Sequence, residues 1–190
     1  MTIDILEAIG YNAHGDCMKE ESKQRIAASI QSFHLPRYDQ IPNVGLFLEQ
    51  AAKYVGGYLS GLGEFSLTSS MISNYVKKGL IANPVKKQYG QEQIAYLFFI
   101  AVAKSVLSLD ALARFIRLQQ QTYPLSKAYD YFCNEFENML RFTFELQDTI
   151  ELSGEDSSDE KRLLYTCVAA AVQKIYLEKC LEAVDLESRE

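Results

Sequence analysis

Between Thr68 and Tyr89 the chain sets hydroxyl, amide and ammonium side chains at spacings that suit contact with a polyanion. Ser69, Ser70, Ser73 and Asn74 lie in the segment TSSMISNYVKK, a short helical pattern with a polar outer side. An Asn amide can pair with adenine through both its donor and its acceptor, and a Ser hydroxyl can serve several bases. These four are therefore the candidate base-reading residues. Lys77 and Lys78 end the same segment, and Lys86 and Lys87 follow in NPVKKQY. Their ammonium groups suit phosphates, which contribute affinity and salt dependence rather than sequence information. Tyr75 and Tyr89 add phenol groups that can reach a phosphate oxygen while their rings join the core. Taken singly, each side chain is an ordinary solvent-facing or core residue; the combined arrangement carries the expectation.

The elements that must position these groups are mostly helical. Residues 18–33 open with an acidic turn and place Ile26, Ala27, Ile30 and Phe33 at helical spacing. Pro36 and Pro42 bracket a non-helical connector, HLPRYDQIP. Asn43 then fits the N-cap of a helix carrying Leu46, Phe47, Ala51, Tyr54, Val55 and Tyr58. Gly56, Gly57, Gly61 and Gly63 predict a flexible stretch. Thr68 or Ser69 caps the next helix, which turns Met71, Ile72, Tyr75 and Val76 inward. Gly79 suits a left-handed stop, with Leu80 and Ile81 packing back on the core. Asn83-Pro84 starts a turn, and Val85 to Tyr89 fits the two short arms of a β-wing.

A helix too apolar for a broad solvent face follows from Gln91 to Leu107, and another from Leu109-Asp110 to about Gln120. Tyr123-Pro124 breaks it. Two long helices, about 126–150 and 160–186, complete the chain around the acidic loop SGEDSSDE. The first carries a stripe of Ala128, Phe132, Phe136, Met139, Leu140, Thr143, Leu146 and Ile150, the second one of Leu164, Val168, Ala171, Val172, Ile175 and Tyr176. A capped helix, a Gly-Leu-Ile terminator, a basic turn and an apolar helix, in that order, predict a winged helix-turn-helix. The fold class expected is all-α with a small β-wing.

Charge is distributed unevenly. The net charge is −6. Residues 1–64 hold five Lys/Arg against eight Asp/Glu, residues 65–120 seven against two, and residues 121–190 seven against fifteen. The basic surplus falls where the candidate contact residues lie, and a local patch governs phosphate attraction more than the total does. The most apolar window, Ile94 to Ala103, is about half the ~20 residues a membrane span needs. The N-terminus MTIDILEAIG lacks the basic start of an export signal. A soluble, cytoplasmic protein with no membrane association is expected.

Catalysis finds no comparable carrier. His14 with Asp16 and Cys17 is the nearest constellation, but a trio so close in sequence is normally incidental. GGYLSGLG lacks the Lys-Ser/Thr of a phosphate-binding loop. Cys17, Cys133, Cys167 and Cys180 are scattered, with no CxxC pair and two His in the chain, which points to buried thiols rather than a zinc site or disulfides. The sequence predicts no enzyme, no metal and no cofactor.

LTSSMISNYVKKGLI is similar to the second helix of mercury-resistance-type (MerR-like) regulators, in which a threonine precedes an aromatic and a Gly-Leu-Ile ending. The basic turn with Lys86, Lys87 and Tyr89 resembles their wing, and Leu107 to Asp110 resembles the entry to their fourth helix. More closely, IPNVGLFLEQAAKYV with TSSMISNYVKKGLIANPVKKQYGQEQIAYLFFIAVAKSVLSL resembles a bacterial domain-of-unknown-function family regarded as MerR-like regulators, over about residues 40–120. The resemblance implies double-stranded DNA as partner. In this chain Ser73, Asn74, Lys86 and Lys87 stand where arginines are usual, and the linker from Gly56 to Leu67 is longer than the usual tight turn.

Three segments are expected: 1–39 helical, 40–120 the winged helix-turn-helix, and 121–190 a helical segment for dimerisation or effector binding. The functional expectation is a sequence-specific transcriptional regulator with a recognition helix at 68–78 and a basic wing at 83–89, acting as a homodimer. The aromatics Tyr129, Tyr131, Phe132, Phe136, Phe142 and Phe144 exceed what one packing face needs, which makes a small apolar effector a further candidate partner. The rival reading is a helical protein-interaction adaptor that keeps the winged scaffold without binding DNA.

Overall fold

The computed structural model describes residues 18–63, 65–150 and 158–188. The trio His14, Asp16 and Cys17 lies outside the described residues. Within them the helical periodicities resolve into α1 (Glu20–Ile30), α2 (Leu48–Leu59), α3 (Ser69–Lys77), α4 (Gln91–Ala103), α5 (Leu109–Thr122), α6 (Leu125–Thr143) and α7 (Asp159–Glu187). Two short strands, β1 (Leu46–Phe47) and β2 (Gln88–Tyr89), pair antiparallel with Leu46 opposite Tyr89 and Phe47 opposite Gln88. Single 3₁₀ turns occupy Tyr38–Gln40 and Ser60–Leu62. The chain is mostly helical with one small sheet.

The helix α4 organises the rest. Ile94, Ala95, Leu97, Phe98, Ile100, Ala101, Val102 and Ala103 are all buried, and Tyr96 and Phe99 are half-buried against the core. A helix apolar on every side has to be enclosed by others. α2 packs on one flank, and α6 and α7 pack on another. One hydrophobic cluster therefore runs from α1 and α2 through α3 and α4 into α6 and α7. Aromatic edges continue it: Tyr58 and Tyr54 meet Phe98, Phe98 meets Tyr129, and Phe132 stacks on Phe136 at 5.8 Å.

Four boundaries differ from the expectation. Asn43 caps nothing; it is exposed, and the helix starts five residues later behind Phe47, whose N–H donates to Gln50 Oε1 at 2.9 Å. Leu46 and Phe47 are drawn into β1 because pairing with β2 satisfies their backbone groups. Gly56 and Gly57 lie inside α2, where the apolar stripe Ala51, Val55, Leu59 outweighs the low helix propensity of glycine. α4 stops at Ala103, short of Leu107. α6 stops at Thr143 rather than near 150, because Glu145 adopts a left-handed φ of 57°. The Leu146 N–H then reaches the Arg141 carbonyl at 2.8 Å and the Glu145 N–H the Phe142 carbonyl at 3.1 Å, a Schellman stop built without glycine.

The connector between α1 and β1 is pinned by α6. Arg37 donates from both guanidinium nitrogens to Glu137, at 2.7 Å each, and the Leu35 N–H donates to the same carboxylate at 2.8 Å. The Tyr38 N–H donates to Asp130 Oδ1 at 2.7 Å. At the opposite end of the chain, Glu187 accepts from the Lys19 N–H and the Ser22 hydroxyl, so the end of α7 caps the start of α1. Burial pushes the Cys133 thiol up to about 12 and that of Cys167 up to about 11. Both are buried thiols held protonated, while Cys180 is half-buried. Among the described residues no helix is long and apolar enough to cross a membrane.

Glu137 is buried and Arg37 is about a third exposed, so the pair breaks asymmetrically. Glu137→Gln leaves a guanidinium with a neutral partner and should cost about 2–3 kcal/mol in urea unfolding. A loss below about 0.5 kcal/mol would show that the connector is held by its apolar residues Leu35 and Ile41 instead.

Candidate nucleic-acid interface

Thr68 starts α3: its hydroxyl oxygen accepts from the Met71 N–H at 3.2 Å, satisfying one of the free donors at the helix N-terminus. Ile72 and Tyr75 are buried, and Met71 and Val76 pack half-buried beside them. The opposite side carries Ser70, Ser73, Asn74 and Lys77, all exposed and spaced three and four residues apart. Ser69 sits half-buried at the margin of that face. The Ser73 hydroxyl donates to the Ser69 carbonyl at 2.9 Å, which leaves it facing outward as an acceptor. Lys77 belongs to this face rather than to the helix end alone.

The stop after α3 is a full Schellman motif. Gly79 has φ +72°, its N–H donates to the Val76 carbonyl at 3.0 Å, and the Leu80 N–H donates to the Tyr75 carbonyl at 2.9 Å. Leu80 and Ile81 are buried, as their spacing predicts. This fixes the angle at which the chain leaves α3 for the basic turn, and Lys78 is left exposed at the corner.

The basic turn is a two-residue hairpin. Val85 and Gln88 exchange N–H···O bonds in both directions, at 3.0 and 2.9 Å. Between them Lys86 and Lys87 have φ of +50° and +65°. Both central residues in the left-handed region define a type I′ turn, a geometry for which Asn-Gly is the favoured pair. A side chain with a Cβ pays roughly 1 kcal/mol there. Two lysines hold these positions, so the tip combines local strain with two exposed positive charges. Among the described residues no carboxylate forms an ion pair with Lys77, Lys78, Lys86 or Lys87.

β2 continues from this hairpin to pair with β1, so Gln88 faces Phe47 in the two-stranded sheet and Val85 across an isolated bridge. Gly45 fits against it so closely that a Cβ there would lie 2.6 Å from Gln88 Cβ. Gln93, in the first turn of α4, accepts from the Gly90 N–H at 2.6 Å and donates to the Asn83 carbonyl at 3.1 Å. One side chain thereby ties both ends of the hairpin to α4. Gln91 does the same for the connector, donating to the Tyr38 carbonyl at 2.6 Å. Lys104, part of the local basic surplus, is half-buried and donates to the Ser66 carbonyl at 2.8 Å, so it supports the entry to α3.

Tyr75 and Tyr89 are placed differently from the lysines. They are 3 % and 4 % exposed, and burial raises both phenol pKa values. Both side chains belong to the core. Among the described residues no group of His, Cys, Asp and Glu converges as a metal site would require. The geometry thus offers an exposed polar helix face on α3, which packs on α2, and a doubly charged hairpin tip tied to α4 through Gln93.

A family model described as Domain of unknown function (DUF1836) matches residues 36–132, just over half of the 190-residue chain. The chain belongs to the DUF1836 family. The matched part runs from the connector through α2, α3, the hairpin, α4 and α5 into α6, so it contains every candidate contact residue together with the helix that holds them. No curated protein and no solved structure matches the chain.

Sequence reasoning missed Gly45, Gln91 and Gln93 as positioning residues. A lone glycine before an apolar pair, as in NVGLF, is a signal of close backbone approach. The glutamines carry no signal of their long-range bonds, because Asn83 lies 10 residues from Gln93 and Tyr38 lies 53 from Gln91. Gly45→Ala should push β2 away from β1 and tilt the hairpin without removing any charge. Backbone amide shifts of residues 85–89 should move while α7 stays unperturbed; unchanged shifts in the hairpin would mean that the ribbon tolerates the methyl group.

Proposed function

We propose that this member of the DUF1836 family is a sequence-specific, DNA-binding transcription regulator of the MerR-like winged helix-turn-helix type. The observation that carries the reading is the hairpin tip. A turn that favours Asn-Gly holds Lys86 and Lys87 instead, and strain of this kind is retained where it serves a function. The exposed face of α3 lies in the same unit, as a recognition helix must. Ser70, Ser73 and Asn74 read base edges, with Ser73 accepting from an adenine or cytosine amino group. Lys77, on that same face, and Lys78, Lys86 and Lys87 hold phosphates. Ser69 contributes from the margin, and Tyr75 and Tyr89 act from the core by setting the helix and hairpin in place.

The regulator acts in the cytoplasm as a homodimer, with no catalytic step. α7 supports the dimer: Leu163, Ala170, Leu177 and Leu181 recur every seven and then four residues and are exposed, beside the stripe that faces the core. A second copy covers such a row in the way coiled-coil partners do.

One observation favours the rival adaptor reading. Phe47 and Val85, on the outer face of the ribbon, are 52 % and 73 % exposed, which suits a protein partner better than DNA. Replacing the tip separates the two. Lys86→Asn with Lys87→Gly relieves both left-handed lysines, so the melting temperature should rise. DNA affinity should fall, with the slope of log K against log salt shallower by about 2. A stabilised variant with unchanged DNA binding, or a wild-type protein that binds no DNA at low salt, would transfer the weight to the adaptor.

A further inference from the structure

An open crevice of about 580 Å³ lies between the exit from α3 and the corner where α5 turns into α6. Val76 and the link 79–83 line one side, Glu92 and Tyr96 of α4 another, and residues 119–120 and 123–125 a third. Its volume falls within the ~300–1,000 Å³ of small-molecule sites.

The chemistry of the walls is one-sided. Among the described lining residues Glu92 carries the one formal charge, with no Lys or Arg beside it. Between residues 65 and 120 the chain holds two carboxylates against seven basic side chains, and one of the two stands here. Glu92 is exposed, and among the described residues no Lys or Arg forms an ion pair with it. Tyr96 lies four residues further along, so the carboxylate and the phenol ring share one face of α4. Burial raises the Tyr96 phenol pKa, and the charge of Glu92 adds to the rise, as two neighbouring groups require. The Tyr96 hydroxyl donates to Gln119 Oε1 at 2.9 Å and accepts from Gln120 Nε2 at 3.2 Å. Those bonds hold the ring in place and leave the Gln120 amide oxygen as an acceptor.

We infer that this crevice binds a small organic cation, an alkylguanidine, with its planar head at the Glu92 carboxylate and the Tyr96 ring. Its hydrocarbon stem lies against Val76, Pro124 and Leu125. A guanidinium suits the head because it meets a carboxylate with two parallel N–H bonds and stacks flat on an aromatic ring. The Gln120 oxygen accepts a further N–H. None of this rests on the exposed α3 face or on the hairpin lysines, so the inference stands apart from the DNA-binding reading. The site nevertheless touches the same unit. The link 79–83 joins the α3 stop to the hairpin, and Gln93 Nε2 ties it to α4 through the Asn83 carbonyl at 3.1 Å. A bound cation therefore contacts the segment that sets the hairpin relative to α3.

The test titrates n-butylguanidine and its neutral isostere n-butylurea separately into the full chain, followed by ¹⁵N-resolved NMR. Butylguanidine should bind saturably and shift the Ala82 backbone amide and the Gln120 side-chain amide. It should bind about fivefold tighter than butylurea, the difference expected of one exposed ion pair with a cation–π contact. Glu92→Gln, at an exposed position where the fold is not at stake, should bring the two affinities together. A capped Gly-Arg-Gly peptide should bind no tighter than butylguanidine. Absence of saturable butylguanidine binding would overturn the proposal, as would equal affinity for butylurea or an unchanged preference in Glu92→Gln. Tighter binding of the peptide would overturn the small-molecule assignment in favour of an arginine side chain from a protein partner. All of these outcomes are read without DNA, so they are distinct from any failure of the regulator reading.

Discussion

The enclosure of α4 is the constraint on which the rest depends. Beyond its first turn the helix offers water no useful polar side, so the free energy of burying Ile94, Leu97, Phe98 and Ile100 is gained only if helices surround it. That requirement brings α2 to one flank and α6 and α7 to another, with α3 packed on α2, and it makes one core of segments that composition alone would divide. The polar first turn of α4 then does the positioning. Gln91 holds the connector and Gln93 holds the hairpin, so the basic tip is tied to a helix buried along most of its length. A surface built this way presents fixed side chains, the arrangement that recognition by several weak contacts needs.

The chain accepts local cost at two turns that look alike and are not. At Gly79 the left-handed residue is a glycine and the stop costs nothing extra. At Lys86 and Lys87 the same backbone region is filled by lysines, and at Glu145 by a carboxylate. Glu145 ends α6 where the buried Phe144 needs its ring against Tyr176, at 5.2 Å, so packing accounts for that strain. No comparable packing accounts for the lysines, whose side chains are exposed. The surplus positive charge is then the property that the tip retains, and it is this contrast that favours a polyanionic partner over a purely structural role.

Much of the helical frame was legible because its signals are local. Thr68 caps α3, Gly79 ends it, Leu109-Asp110 starts α5 and Tyr123-Pro124 ends it, all from residues adjacent to the boundary. The inward residues of α3 and α7, and those of α6 up to Leu140, followed from periodicity for the same reason; Leu146, expected on the same stripe, is exposed beyond the stop at Glu145. Boundaries set by distant partners were not legible. β1 exists because Leu46 and Phe47 find Tyr89 and Gln88 some forty residues away, which moved the start of α2 from Asn43 to Leu48. The stop of α6 was hidden because no glycine marks it. Of the candidate site, the exposed face and the lysines were visible in spacing and charge; the burial of Tyr75 and Tyr89 was visible only in part, since an aromatic at a helix or strand end serves core and surface equally. Gly45 and Gln93 became visible only with the ribbon and hairpin in place. The ion pair of Arg37 with Glu137 spans a hundred residues and has no sequence signature at all.

The central claim is that the exposed α3 face and the charged hairpin recognise DNA together. Selection of genomic fragments by the purified full-length chain at two salt concentrations tests it most directly. The account predicts a short dyad-symmetric site enriched at both concentrations, with weaker capture at the higher one, since phosphate contacts release counterions and base contacts set the sequence. No enrichment at low salt would contradict it, and would leave the basic hairpin as a surface for an acidic protein.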